Sequence, residues 1–280
     1  MTNDLLQKIG IGTVQFGTDY GISNTYGQTP SGEVVKILHF CRQYGVTLLD
    51  TAPAYGDAEK VIGANDLTGF RVVSKFMPPR YLSIEDQLKK SLTNLNHDSL
   101  YGYLAHRPED LLINPVQWNI LQQLKDLGSI KKVGFSLNKP AELHALIEEN
   151  MIPDLVQVPF NYFDKRFEND FKILKRYNCE IHARSVFLQG LFFKKSEELS
   201  LFFDQVKPVI QSLQRDFSNL AQSLLMHVLK HPMIDRVIIG VNNSAQFLNN
   251  LNGIGTAEEL PTTHLEIPEE ILMPSNWPAK

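Results

Sequence analysis

Four side chains that could carry out acid–base chemistry end, or closely follow, three successive apolar runs of the sequence. Asp50 ends the run VTLLD, and Tyr55 follows it by five positions in the loop TAPAYG. Lys75 ends the run VVSK, and His106 ends the run YGYLAH. A carboxylate, a phenol, an ammonium and an imidazole are groups that general acid–base catalysis uses. Each alone has an ordinary structural explanation, but core packing does not require all four together.

Short apolar runs alternate with segments of helical periodicity along the chain. Eight strands are predicted at residues 9–14, 46–51, 71–75, 99–106, 131–136, 154–158, 179–185 and 235–239. Most connections are short enough to require parallel right-handed crossovers. The sequence therefore predicts an α/β protein, a single (β/α)8 TIM barrel domain over residues 1–280. In such a barrel the carboxyl ends of the strands share one mouth, where active sites lie.

Helix signals agree with this reading. Helices are predicted at residues 31–44, 83–95, 116–127, 140–149 and 165–177. Ser31 and Ser83 are expected to be N-caps, and Gly45 and Gly128 are expected to follow helix ends in the left-handed conformation. A doubly wound sheet is the alternative fold. Its GxGxxG fingerprint is missing, because the next glycine after Gly10 and Gly12 is Gly17.

Composition narrows the classes of partner. Hydrophobic residues make up 43% of the chain and charged residues 21%, with a formal net charge of −4, which excludes a disordered chain. The chain has no long run of basic residues of the kind that binds nucleic acid or anchors a protein to a membrane. We therefore expect a small-molecule partner. The N-terminus has no signal-peptide pattern, and no long uncharged stretch occurs, so we expect a cytoplasmic protein. Cys41 and Cys179 are expected to be reduced core thiols.

Nine segments resemble, in order, the signature segments of the aldo-keto reductase family, from about residue 9 to residue 251. They are IGIGTVQFG, DTAPAYG, AEKVIG, VVSKF, DSLYGYLAHRPEDL, KKVGFS, LVQVPFN, ARSVFLQG and VIIGVNNSAQFLNNL. The resemblance implies reduction of an aldehyde or ketone, or the reverse reaction, with a nicotinamide dinucleotide and no metal. The opening TVQFGTDYGISN looks like bacterial members associated with sugar metabolism.

The four strand-end groups suit that reaction. A carbonyl that accepts hydride becomes an alkoxide and needs a proton donor and cationic support. A free phenol, with a pKa near 10, needs help to act at neutral pH. Lys75 would stabilise the tyrosinate, and Asp50 would keep Lys75 charged and oriented. Tyr55 is therefore predicted to be the acid in reduction and the base in oxidation, with His106 donating to the carbonyl oxygen.

The resemblance also implies a set of cofactor-binding residues. They are Gly12, Thr13, Asp50, Ser136, Asn138, Gln157, Arg184, Ser185, Gln189, Gly190, Gly240, Asn242, Gln246, Asn249 and Asn250. Arg184 stands where many relatives place an aromatic ring against the nicotinamide, and a guanidinium can also stack on a flat ring. No Lys or Arg lies between Gly240 and Asn250 to bind a 2′-phosphate, so both NADP and NAD remain open.

Substrate contacts are expected from Tyr20, Asn24, Arg107 and Trp277. The polar loop from residue 17 to residue 28 suits a polyhydroxylated carbonyl compound, such as a sugar-derived aldehyde. Its residues could equally be turn formers that face solvent.

Two other functions compete with the reductase. One is a dinucleotide-binding sensor or regulatory protein with little turnover, and the other is a barrel lyase with Lys75 as a Schiff base. His227 and His231 share a helix face, but the Glu of a zinc-protease motif is absent, so they are expected to be structural.

Overall fold

Eight parallel strands form a closed barrel in the computed structural model, which describes residues 2–80, 82–263 and 265–278. The strands are β1 Ile9–Gly12, β2 Leu48–Asp50, β3 Arg71–Phe76, β4 Leu100–Ala105, β5 Ile130–Ser136, β6 Leu155–Pro159, β7 Glu180–Arg184 and β8 Arg236–Gly240. Each strand pairs with the next in sequence, and β1 pairs with β8 at Gly12 and Gly240. The predicted (β/α)8 barrel is confirmed.

Helices connect the strands. The α-helices are α1 Thr2–Gln7, α2 Val14–Gly17, α3 Ser31–Gln43, α4 Ala58–Gly63, α5 Ile84–Leu95, α6 Glu109–Ile113, α7 Val116–Asp126, α8 Pro140–Glu148, α9 Phe171–Arg176, α10 Lys207–Asp216, α11 Leu220–Leu229, α12 Ser244–Leu251 and α13 Glu269–Leu272. Short 3₁₀ helices lie at Glu168–Asp170, Leu188–Phe193, Ser196–Glu198, Leu201–Phe203, Ile254–Thr256 and Pro274–Asn276. No helix of the described ranges is long and apolar enough to cross a membrane.

The helix ends confirm some predictions and correct others. The Ser83 hydroxyl accepts from the Asp86 amide at 3.0 Å and caps α5, as predicted. Ser31 is instead the first residue of α3, preceded by Pro30 in an extended conformation. Gly45 and Gly128 have φ of +71° and +76°, as predicted. The helix predicted at residues 165–177 is reduced to α9, because the preceding residues form a turn around Asn161 and Asp164.

The core has two layers on the two faces of the barrel sheet, and a third cluster of buried side chains joins the loop after β7, α10, α11 and the tail. Inside the barrel, five buried side chains pack together: Leu48, Val73, Leu104, Leu155 and Ile238. A larger cluster lies between the strands and the surrounding helices, where Cys41 and Cys179 are both buried as free thiols. This rigid frame fixes the strand ends that carry the polar side chains.

Candidate active site

A buried ion pair lies at the mouth of the barrel, at the carboxyl ends of β2 and β3. The Lys75 ammonium donates to both Asp50 oxygens at 2.8 Å, and the two side chains are 1% and 5% exposed. Burial alone would lower the pKa of Lys75, but Asp50 and Tyr55 outweigh it and raise that pKa. Lys75 is therefore a fixed ammonium at neutral pH.

The same ammonium reaches the phenol predicted to be the proton donor. Lys75 Nζ lies 3.4 Å from the Tyr55 hydroxyl, and it also donates to the Thr51 carbonyl at 3.0 Å. Tyr55 sits in the turn after β2, where its amide donates to the Ala52 carbonyl at 3.0 Å. Gly17 packs against this turn so closely that a Cβ there would lie 1.8 Å from the Tyr55 carbonyl oxygen. The loop after β1 therefore holds the Tyr55 turn in place.

His106 completes the group that the sequence predicts. Its ring lies edge-on to Tyr55, with 6.0 Å between the ring centroids. Burial, followed by the charges of Lys75, Arg184 and Arg107, lowers the pKa of His106 to about 3. His106 is thus a neutral imidazole that can donate a hydrogen bond without carrying charge.

Asp50 has a further partner from the opposite side of the barrel. The Gln157 amide group on β6 donates to Asp50 Oδ1 at 2.7 Å, while its own carbonyl oxygen is buried without a partner among the described residues. The Asp50 carboxylate is therefore fixed from two directions.

A cavity of about 690 Å³ opens above these groups. Its lining includes Tyr55 and His106, with Asp50 at the bottom beside Lys75. Most of the residues predicted to bind a cofactor also line it: Gly12, Asp50, Ser136, Asn138, Gln157, Arg184, Ser185, Gln189, Gly190, Gly240, Asn242, Gln246 and Asn250. The structure thus brings the separate sequence segments to one place.

Lys75 lies buried beneath this cavity, and four further predicted site residues do not line it. Thr13 is buried, and its hydroxyl donates to the Asp50 carbonyl at 3.0 Å, a hydrogen bond that joins the ends of β1 and β2. Asn249 contributes a backbone carbonyl that accepts from Gln222 at 2.8 Å.

The two others were expected to contact substrate. Arg107 follows β4 but is exposed outside the cavity. Trp277 donates to the Ile271 carbonyl at 2.9 Å and packs against Phe203, so it anchors the tail.

The loop after β1 covers one side of the cavity. Tyr20 and Asn24 line it as predicted, but the Asn24 side chain bonds its own loop, at 3.1 Å to Asp19 and 2.9 Å to the Gly27 carbonyl. The Ile22 amide donates to the Gln189 carbonyl at 3.0 Å, which joins this loop to the one after β7. Ser185, Leu188 and Gln189 have positive φ, a strain that is typical of functional loops.

Several cavity residues were missed by sequence reasoning. Gln15 follows β1 and lies against Gly240, where a Cβ would come within 2.5 Å of its amide nitrogen. Its position two residues after Thr13, in the same strand-end segment, was a usable signal. Arg166, Phe187, Phe193 and the tail residues 272–275 also line the cavity. They come from loops whose course depends on tertiary packing, so no local pattern identified them.

A model of the aldo/keto reductase family matches residues 8–266. The chain belongs to the aldo/keto reductase family. The uncharacterized oxidoreductase YqkF of Bacillus subtilis is 22% identical over an alignment of 308 positions, which covers 96% of each chain. The aldo-keto reductase YhdN of the same organism is 24% identical over 181 residues, covering 58% of this chain and 52% of that protein.

Solved aldo-keto reductases share the fold. The holo form of a Bacillus halodurans aldo-keto reductase superposes with a TM-score of 0.71 at 18% identity, covering 91% of this chain and 88% of that one. A Klebsiella pneumoniae aldo-keto reductase, solved in complex with NADPH, superposes with a TM-score of 0.66 at 21% identity. The match covers 91% of this chain and 87% of that one. The family resemblance recognised between residues 9 and 251 is confirmed.

The histidines considered for a metal have aromatic neighbours in this aldo/keto reductase. His227 stacks on Phe160 with 6.4 Å between ring centroids, and His231 lies edge-on to Phe171 at 5.1 Å. Within the described ranges, no group of three or more His, Cys, Asp or Glu residues could hold a metal ion.

Proposed function

We propose that this protein is an NAD(P)H-dependent oxidoreductase that reduces an aldehyde or ketone to an alcohol, with Tyr55 as the proton donor. The observation that carries the proposal is the Asp50–Lys75 ion pair, which is buried, charged and in contact with the Tyr55 hydroxyl at the base of a cavity. Burying such a pair carries a large desolvation cost. A function that requires a phenol to give up and regain a proton accounts for that cost, because the pair stabilises the phenolate.

The cavity suits a nicotinamide dinucleotide. Three residues of its lining have buried side-chain oxygens without a hydrogen-bond partner in the described chain: Gln15, Gln157 and Asn242. Buried polar atoms are normally satisfied, so these atoms favour a polar ligand. We propose that the predicted cofactor residues that line the cavity bind the nicotinamide dinucleotide, together with Gln15. A bound nicotinamide supplies the hydride in reduction and accepts it in oxidation.

The protein's own groups manage the proton and the charge. In reduction the Tyr55 hydroxyl donates its proton to the substrate oxygen as negative charge develops there. The Lys75 ammonium stabilises the phenolate that remains, and Asp50 keeps that ammonium oriented. Neutral His106 donates a hydrogen bond to the substrate oxygen and aligns it. In oxidation each proton moves in the opposite direction.

The cofactor is NADP or NAD, and we expect modest discrimination between them. No Lys or Arg lies between Gly240 and Asn250, and Lys194, a conceivable substitute, is paired with Glu198 at 2.6 Å. Each missing charge-assisted contact to a 2′-phosphate forfeits about ten- to a hundredfold in affinity. Fluorescence titration should show a small difference between NADPH and NADH, and a thousandfold preference for NADPH would contradict this proposal.

For the substrate we propose a polyhydroxylated carbonyl compound. Tyr20 and Ser23 of the loop after β1 line the cavity, which supports hydrogen bonding to hydroxyl groups. The engaged side chain of Asn24 supports the turn-forming alternative for that residue. Aldoses and their derivatives should therefore be better substrates than size-matched aliphatic aldehydes, and Tyr20→Phe should narrow the difference.

The alternatives are less well supported. A Schiff-base lyase needs a neutral Lys75, but Asp50 holds that ammonium charged with two hydrogen bonds. A sensor without turnover would not need a proton donor at the cavity base.

The test is a panel of carbonyl compounds followed at 340 nm with both reduced cofactors, using the wild type and Tyr55→Phe. The substitution keeps the ring and removes the proton donor, so turnover should fall by about two to four orders of magnitude. Tyr26→Phe is the matched control, since Tyr26 is 68% exposed and is not part of the cavity lining. Near-normal turnover of Tyr55→Phe would refute the mechanism, and absence of turnover across the panel in the wild type would favour the sensor.

A further inference from the structure

Arg184, at the end of β7, is a charged cavity residue that has no ion-pair partner in the part of the chain that the structure describes. Asp50 is paired with Lys75 at 2.8 Å, and Arg166 is paired with Asp164 at 2.8 Å. Arg184 forms no ion pair with any residue that the structure describes. A half-buried charge is costly unless a partner compensates it. A ligand anion in the cavity would therefore supply the opposite charge that the described residues do not.

The Arg184 guanidinium is held in one orientation by neutral acceptors. Its Nη2 donates to the Leu137 carbonyl at 2.9 Å and to Asn138 Oδ1 at 2.7 Å. Its Nη1 donates to the Ser185 hydroxyl at 3.2 Å. A guanidinium has five N–H donors, so donors remain that have no acceptor among the described residues. A fixed guanidinium with free donors is suited to carboxylate and phosphate oxygens.

The charge of Arg184 acts on the groups around the reacting phenol. It contributes, after burial and Lys75, to the low pKa of His106, whose ring contacts Tyr55. Burial and the neighbouring Tyr55 raise the pKa of Tyr20 to about 12, while Arg184 acts in the opposite direction. Arg184 thus acts electrostatically on His106 and Tyr20, which both line the cavity.

We propose that Arg184 binds an oxyanion carried by the carbonyl substrate, so that the preferred substrates are aldehydes or ketones bearing a carboxylate or phosphate. This inference rests on the proposed reductase function. The same oxyanion chemistry is available from the cofactor diphosphate, and the experiment must separate these two sources. Contact of the flat guanidinium face with a cofactor ring is compatible with the proposal, because the N–H donors lie at its edge.

The kinetic arm compares matched aldehydes with one cofactor at saturation. Succinic semialdehyde is compared with butyraldehyde, and glyceraldehyde 3-phosphate with glyceraldehyde. We expect kcat/KM to favour the anionic member of each pair. Arg184→Gln should reduce that preference about ten- to a hundredfold, mainly through KM, and Arg184→Lys should retain part of it. Arg215→Gln is the control, because it removes the same charge from an exposed side chain that does not line the cavity, and it should leave the preference within about threefold.

Two kinetic outcomes would overturn the inference. In the first, the wild type shows no kcat/KM preference for the anionic aldehydes, or it shows a preference that is the same in Arg184→Gln. The other is an equal loss for anionic and neutral aldehydes together with weaker NADPH binding in a fluorescence titration, which would assign Arg184 to the cofactor diphosphate.

A binding arm keeps this test independent of turnover. Succinate and neutral succinamide are titrated calorimetrically into the complex with NADP+ or NAD+, for the wild type and both Arg184 variants. Tighter binding of succinate that is lost in Arg184→Gln and partly restored in Arg184→Lys supports the anion site, even if no aldehyde is reduced. Equal binding of the two compounds would refute it.

Discussion

Replacing Asp50 with Asn isolates the cost of the buried ammonium. Two unit charges 2.8 Å apart interact by about 6 kcal/mol at the effective dielectric of a protein interior, and breaking a buried pair on one side costs about 3–5 kcal/mol. Lys75 can limit this loss by giving up its proton. An ordinary lysine pKa is about 10.4 and each pH unit is worth about 1.4 kcal/mol, so the limit is about 5 kcal/mol at pH 7.

The sign of the pH dependence makes the prediction specific. In the wild type the pKa of Lys75 is raised, so its stabilising contribution is complete below the unfolded value of about 10.4 and is lost as the pH rises through the higher folded value. In Asp50→Asn burial prevails and the folded pKa lies below the unfolded one. The free energy of unfolding of Asp50→Asn is lower than that of the wild type, and this difference should therefore shrink by about 1.4 kcal/mol per pH unit between about pH 7 and pH 10.

Urea unfolding at pH 7, 8, 9 and 10 measures this deficit, and a thermal scan at pH 7 should show a loss of roughly 8–15 °C. Asp57→Asn is the matched control, because the Asp57–Lys60 pair is two-thirds exposed at 3.0 Å and should matter little. If Asp50→Asn melts within about 2 °C of the wild type, or if its deficit is the same at pH 7 and pH 10, the account of the buried pair is wrong.

Two further predictions concern the surroundings of Tyr55. Gly17→Ala places a Cβ 1.8 Å from the Tyr55 carbonyl oxygen and should lower turnover at least tenfold. In the control Gly32→Ala, the added Cβ meets no atom of the described residues within 4 Å, so turnover should not fall. Equal activity of both variants would contradict the packing argument. Because the pKa of His106 is about 3, kcat/KM for reduction should show no loss from imidazole protonation between about pH 5 and pH 7; an acid limb near pH 6.5 that disappears in His106→Gln would contradict the neutral imidazole.

The barrel could be predicted because periodicity and strand number are local properties of the sequence. Each of the eight predicted strands overlaps an observed one, and the ends of β2, β3 and β4 bring Asp50, Lys75 and His106 to one mouth as expected. The boundaries of the helices were harder to predict from the sequence. Ser31 has the residue type of an N-cap, but Pro30 already supplies the extended conformation before α3.

The cavity walls were the hardest part to predict. Arg107 and Trp277 are predicted to contact substrate because they lie in the loop after β4 and in the tail. In the structure Arg107 is exposed and Trp277 packs within the tail, and neither lines the cavity. Gln157 was expected to meet the cofactor, and its bond to Asp50 across the barrel is a long-range contact that sequence spacing does not reveal. The lack of an ion-pair partner for Arg184 likewise depends on which loops come near it.

The closure between β1 and β8 has a consequence for dynamics. Gly12 and Gly240 face each other at this seam, and both line the cavity. The seam joins the first and last strands, so it has the largest sequence separation of any strand pair and the highest entropic cost of formation. A molecule bound across Gly12 and Gly240 connects the two ends of the sheet. Occupancy of the cavity should therefore slow amide hydrogen exchange in β1 and β8 more than in β4 and β5.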